Sequence, residues 1–100
     1  MIDIDEKYLA EIRRILAKHM PDCEVRAFGS RLEGKAKQFS DLDLALVGSE
    51  KLNWRRIESL KDAFSSSDIP IIVDVIDWHA ISDEFRAIIQ NNYEIIQERK

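Results

Sequence analysis

Between residues 41 and 47 the chain reads Asp-Leu-Asp-Leu-Ala-Leu-Val, with leucine at every second position. A period of two places Leu42, Leu44 and Leu46 on one face of a β-strand and Asp41, Asp43 and Ala45 on the other. Three aligned leucines must be buried, so the segment belongs in a sheet with another layer packed on its leucine side. The aspartate side is then expected to stay open. Two carboxylates two residues apart on a strand are roughly 6 to 7 Å apart at their backbones, and their oxygens can converge on one cation. Without a counter-charge they repel each other.

The remaining segments supply the partners such a strand needs. Residues 4–19 repeat apolar positions at Leu9, Ile12 and Leu16 and predict an amphipathic helix, with Asp5 as N-cap, Ile4 and Leu9 as a hydrophobic staple and Pro21 as terminator. Residues 24–28 alternate polar and apolar side chains and stop at Gly29, which predicts a short strand running into a tight turn. Residues 31–40 are polar and basic and read as a loop or a short helical turn. Trp54, Ile57, Leu60 or Lys61, and Phe64 mark a second helix with an aromatic core stripe, ended by Ser65 to Ser67 and Pro70. Residues 71–76 form a β-branched run interrupted by Asp74, a third strand. Ser82 caps a last helix whose inner face is Phe85, Ile88 and Ile89, while residues 93–96 fit either an extension of it or a terminal strand. The expected architecture is α/β (α+β): a small mixed sheet of three to four strands flanked by helices, and one domain over residues 1–100.

Composition narrows the functions. The net charge of −4 argues against a basic face for the nucleic acid backbone, so no direct nucleic acid binding is expected and any phosphate must be held locally. No apolar stretch approaches the eighteen or so residues of a membrane span, and no secretory leader is visible, so a cytoplasmic protein with no membrane role is expected. Cys23 is the only cysteine, which precludes an internal disulfide and reads best as a small core residue.

Asp74 shares its strand face with Ile72 and Ile76, and an aspartate in such a run is costly unless it is paired or binds a metal. If the third strand lies beside the second, Asp74 completes a three-carboxylate cluster with Asp41 and Asp43; Asp77 points the other way and is the weaker candidate. Taken alone, Asp-x-Asp fits a half-exposed strand as well. Upstream, Phe28-Gly29-Ser30 ends a strand in a small-residue turn whose N–H groups and hydroxyl can approach a phosphate, with Arg31, Lys35 and Lys37 adding positive charge.

The combined pattern is Gly29-Ser30, ten residues, Asp41-x-Asp43, and a further strand aspartate at Asp74. It resembles the signature of the nucleotidyltransferase superfamily that includes DNA polymerase β, in particular its small members, the minimal nucleotidyltransferases (MNT). The resemblance implies a polymerase β-like fold in which Gly29 and Ser30, with Arg31 and Ser40 beside them, bind the nucleotide. It further implies that Asp41, Asp43 and Asp74 act as catalytic metal ligands for one or two Mg²⁺ ions, with ATP as donor. Domains similar to this one act as antitoxins beside a helical HEPN-family toxin, which implies transfer of AMP from ATP to a protein hydroxyl, a tyrosine of that toxin. Two other readings are weighed against this: an antitoxin that masks its toxin by binding alone, and an adenylyltransferase with a small-molecule acceptor. Three acidic groups on one sheet face disfavour the first, and the shortness of the chain disfavours the second.

Overall fold

The computed structural model describes residues 2, 4–29 and 41–100. The order is α1 (Glu6–His19), β1 (Glu24–Phe28), β2 (Leu42–Val47), α2 (Trp54–Ser65), β3 (Val73–Asp77), a 3₁₀ turn (Trp78–Ala80), α3 (Asp83–Asn91) and β4 (Glu94–Gln97). The loop expected over residues 31–40 lies outside the described residues. Residues 94–97 form a strand, which settles what periodicity left open.

The helices start where local chemistry places them. Asp5 accepts the Lys7 N–H and Asn53 accepts the Arg55 N–H. Ser82 likewise accepts the Phe85 N–H. Each cap satisfies a backbone donor that the first turn leaves unpaired.

The four strands form one mixed sheet in the order β3-β2-β1-β4. β1 runs antiparallel to both β2 and β4, whereas β2 and β3 are parallel and joined through α2. One face carries the main core: Leu42, Leu44 and Leu46 are fully buried there with Val25, Ile12, Leu16 and Leu60. α1 and α2 therefore cover the leucine side, as the alternation requires. The opposite face holds a smaller cluster of Ala45, Trp78 and Ile89, bordered by Phe28, Ile76 and Phe85.

That second cluster changes one expectation. The aspartate side of β2 is not open along its whole length, because Trp78 and α3 bury Ala45 completely. Its N-terminal end, at Asp41 and Asp43, remains accessible. Two further expectations are corrected. Trp54 does not join the core and is 67% exposed, since it occupies the first position of α2, where Arg55 rests over its ring. Ile88 is 68% exposed because α3 is short and turns only Ile89 fully inward.

Asp77 points away from the other aspartates and is buried. Its Oδ2 accepts the Leu52 N–H at 2.8 Å and its Oδ1 accepts the His79 N–H at 3.0 Å, while His79 Nε2 donates to Gly48 O at 2.8 Å. This network ties the β2–α2 connection to the 3₁₀ turn. Asp77→Ala strands two N–H groups, and we expect it to lower unfolding free energy by about 2 kcal/mol in urea denaturation.

Candidate active site

The strand register assembles the site. Asp43 pairs with Phe28 on its antiparallel side and with Asp74 on its parallel side. Neighbouring strands are about 4.8 Å apart, so Asp43 and Asp74 are adjacent across the sheet. Asp41 precedes β2 by one residue and is exposed, close enough for its charge to act on Asp74. The register thus sets Asp43 and Asp74 side by side, with Asp43 central and half-buried and Asp41 and Asp74 exposed.

Gly29 closes the other side. Its φ is +88°, a conformation that disfavours side-chain-bearing residues, and a Cβ built on it meets Asp43 Oδ2 at 2.5 Å. The turn backbone and the central carboxylate are thus in direct contact. Ser30, Arg31, Lys35, Lys37 and Ser40 lie outside the described residues.

Electrostatics mark the cluster as strained. Partial burial raises the Asp43 carboxyl above its usual range, and the charges of Asp74 and then Asp41 raise it further. Desolvation also raises Asp74, followed by its hydrogen bond with Asp41 and the charge of Asp41, while Lys61 acts in the opposite direction. Lys61 escaped notice as a site neighbour because it belongs to α2, and only the packing of that helix against β3 brings it near Asp74.

Among the described residues, no three His, Cys, Asp or Glu side chains already stand in a ligating arrangement. The carboxylates are neighbours that a cation would have to gather. The donor set fits such an ion on chemical grounds, because it is all oxygen, as hard Mg²⁺ prefers, and its mutual repulsion is what a divalent charge relieves.

Residues 10–100 match the family described as Polymerase beta, Nucleotidyltransferase. The chain belongs to the polymerase β nucleotidyltransferase family. A Haemophilus influenzae member of similar sequence, named probable protein adenylyltransferase MntA, is 48% identical over 99 residues, which is 99% of this chain and 87% of that protein. Solved structures share the nucleotidyltransferase fold at lower identity. A toxin-antitoxin MntA-HpeT mutant superposes with a TM-score of 0.76 at 17% identity, over 92% of this chain and 74% of that one. A toxin-antitoxin structure with AMP-PNP gives 0.68 at 21% identity, over 92% and 74%. A tri-AMPylated Shewanella oneidensis HEPN toxin in complex with an MNT antitoxin gives 0.61 at 18% identity, over 93% and 71%. Among the described residues, no helix of this nucleotidyltransferase is long and apolar enough to cross a membrane.

Proposed function

We propose that this chain is a Mg²⁺-dependent protein adenylyltransferase that moves AMP from ATP to a tyrosine hydroxyl of a HEPN-family toxin and thereby acts as its antitoxin. The observation that carries the reading is the row formed by Gly29, Asp43 and Asp74, with Asp41 one residue ahead of β2 beside it. The name of the Haemophilus relative and the toxin-antitoxin complexes among the structural neighbours support the donor and the partner. We read residues 1–100 as a single catalytic domain working in the cytoplasm.

In this reading Gly29 and Ser30, with Arg31 and Ser40, seat the triphosphate, and Asp41, Asp43 and Asp74 hold the cations. Bound Mg²⁺ neutralises the charge that builds up on the phosphates and favours the ionised acceptor. Gly29 permits close approach of backbone to phosphate because nothing projects from its α-carbon. Asp43 fixes the spacing between the turn and Asp74 because the ladder holds its backbone on both sides. The acceptor oxygen bonds to the α-phosphorus as the α-phosphorus–oxygen bond to pyrophosphate breaks, and the hydroxyl proton passes through the carboxylate cluster to solvent.

The test is labelling of the product of the adjacent gene with ATP labelled at the α-phosphate, followed by mapping of the modified residue by mass spectrometry. Label on a tyrosine that requires Mg²⁺ is expected. Calorimetry should show Mg²⁺-dependent ATP binding that weakens at least about tenfold in Asp41→Ala. Toxin neutralisation without label, unchanged in Asp41→Ala, would leave masking by complex formation as the function.

A further inference from the structure

Phe28 is the last residue of β1, with Gly29 after it and Asp43 opposite it in the antiparallel ladder. Paired residues present their side chains on one face of the sheet about 5 Å apart, so the Phe28 ring flanks the central carboxylate. α3 stands on this face and helps to bury Ala45, two residues beyond Asp43. Its Phe85 meets Phe28 edge-on, with ring centroids 5.8 Å apart and planes at 84°. Both residues are only half-buried, so part of each ring still faces water. Ile88 follows Phe85 by one helical turn and is 68% exposed, whereas Ile89 next to it is fully buried. Core packing accounts for Ile89 and leaves Ile88 outside.

Two aromatic rings and an aliphatic side chain therefore form a ledge against the residues that hold phosphate and cation in the proposed reaction. A nucleoside is tethered to its α-phosphate through the ribose, and its base comes to rest on the surface that borders the phosphate site. Every base has a π-face whatever its edge carries, so stacking on aromatic side chains tolerates base identity. Phe28, Phe85 and Ile88 have no side-chain donor or acceptor with which to read that edge. Contact area grows with ring size, and purines gain more than pyrimidines.

We propose that Phe28, Phe85 and Ile88 are the nucleobase platform of the donor site, holding a purine by stacking and apolar contact without selecting adenine over guanine. The inference rests on the transferase reading for the position of the phosphates, whereas contact between base and platform requires neither metal nor acceptor. The full chain is titrated by calorimetry with the Mg²⁺ complexes of ATP, GTP, CTP and inorganic tripolyphosphate. Adenosine is titrated separately, with ¹³C-labelled isoleucine methyls and phenylalanine rings observed by NMR. ATP and GTP should bind within about threefold of each other, CTP more weakly, and tripolyphosphate at least about tenfold more weakly than ATP. Ile88→Gln, a neutral change at an exposed position, should weaken ATP and GTP at least about fivefold and leave tripolyphosphate unchanged. Phe85→Leu should act in the same sense, and adenosine should shift the signals of Phe28, Phe85 and Ile88. Tripolyphosphate binding as tightly as ATP, a preference above about tenfold for ATP over GTP, or parental ATP affinity in Ile88→Gln would overturn the assignment. Perturbation of the same signals by a partner protein but not by adenosine would overturn it in favour of a protein-docking surface. Adenosine binding at the platform in a chain that transfers no AMP would sink the transferase reading and leave the platform standing.

Discussion

Asp43→Ala is expected to reduce AMP transfer on the order of 10³-fold while leaving a protein at least as stable as the parent. The loss follows from position. Asp43 is the only one of the three carboxylates held by hydrogen-bonded strands on both sides, between Phe28 at the turn and Asp74 at the edge. Removing it takes away the link between the phosphate-binding turn and the remaining carboxylates. The preserved stability follows from charge. Burial, Asp74 and Asp41 all disfavour the ionised form, so the folded protein holds a proton on Asp43 more tightly than the unfolded chain does. Stability contributed by this group is therefore greatest at low pH and declines as pH rises from the ordinary value of 3.8 through the raised folded value. Asp43→Asn should consequently match wild type in acid and exceed it at neutral pH in the absence of divalent cations. Urea denaturation across that range, beside single-turnover labelling, measures both effects; a neutral-pH stability below that of wild type would contradict the electrostatic account.

Gly29→Ala should lose transfer nearly as completely, for a steric reason. Two penalties add at this position. A left-handed backbone costs an alanine about 1 to 2 kcal/mol, and its methyl carbon would lie 2.5 Å from Asp43 Oδ2. Asp43 can relieve the contact by rotating, but rotation carries its oxygen away from where Asp74 and Asp41 gather. We therefore expect a stability loss of about 2 to 4 kcal/mol together with a fall in transfer of at least about 10²-fold. Combining Gly29→Ala with Asp43→Ala should restore part of the stability, because the clash is gone, and none of the activity. A double-mutant cycle on unfolding free energy checks this directly, and strictly additive stabilities would refute the contact.

Much of this arrangement was legible in the chain. The alternation of Leu42, Leu44 and Leu46 required a strand with one buried face, and the same period carried Asp41 and Asp43 to the opposite face. The break at Gly29 marked the end of β1, and Asp5 and Ser82 marked helix starts through local hydrogen bonds that need no tertiary partner, whereas the same role of Asn53 came from the structure. These features depend on neighbours within a few residues, which is why periodicity and capping chemistry reveal them. Trp54 and Ile88 were misplaced because an apolar side chain at helical spacing reveals its stripe but not whether the helix end reaches past the sheet it covers.

What the tertiary structure decided was juxtaposition. Strand order and register put Asp74 beside Asp43 rather than at some other edge, because β2 and β3 pair in parallel through α2. The same packing brought Lys61 to the cluster and opened a cleft next to Asp74. The sequence by itself determined the elements and the identity of the carboxylates, since those follow from side-chain period and local bonds. Which strands became neighbours, and hence whether the carboxylates met, depended on long-range burial of two sheet faces at once, a property of the folded whole.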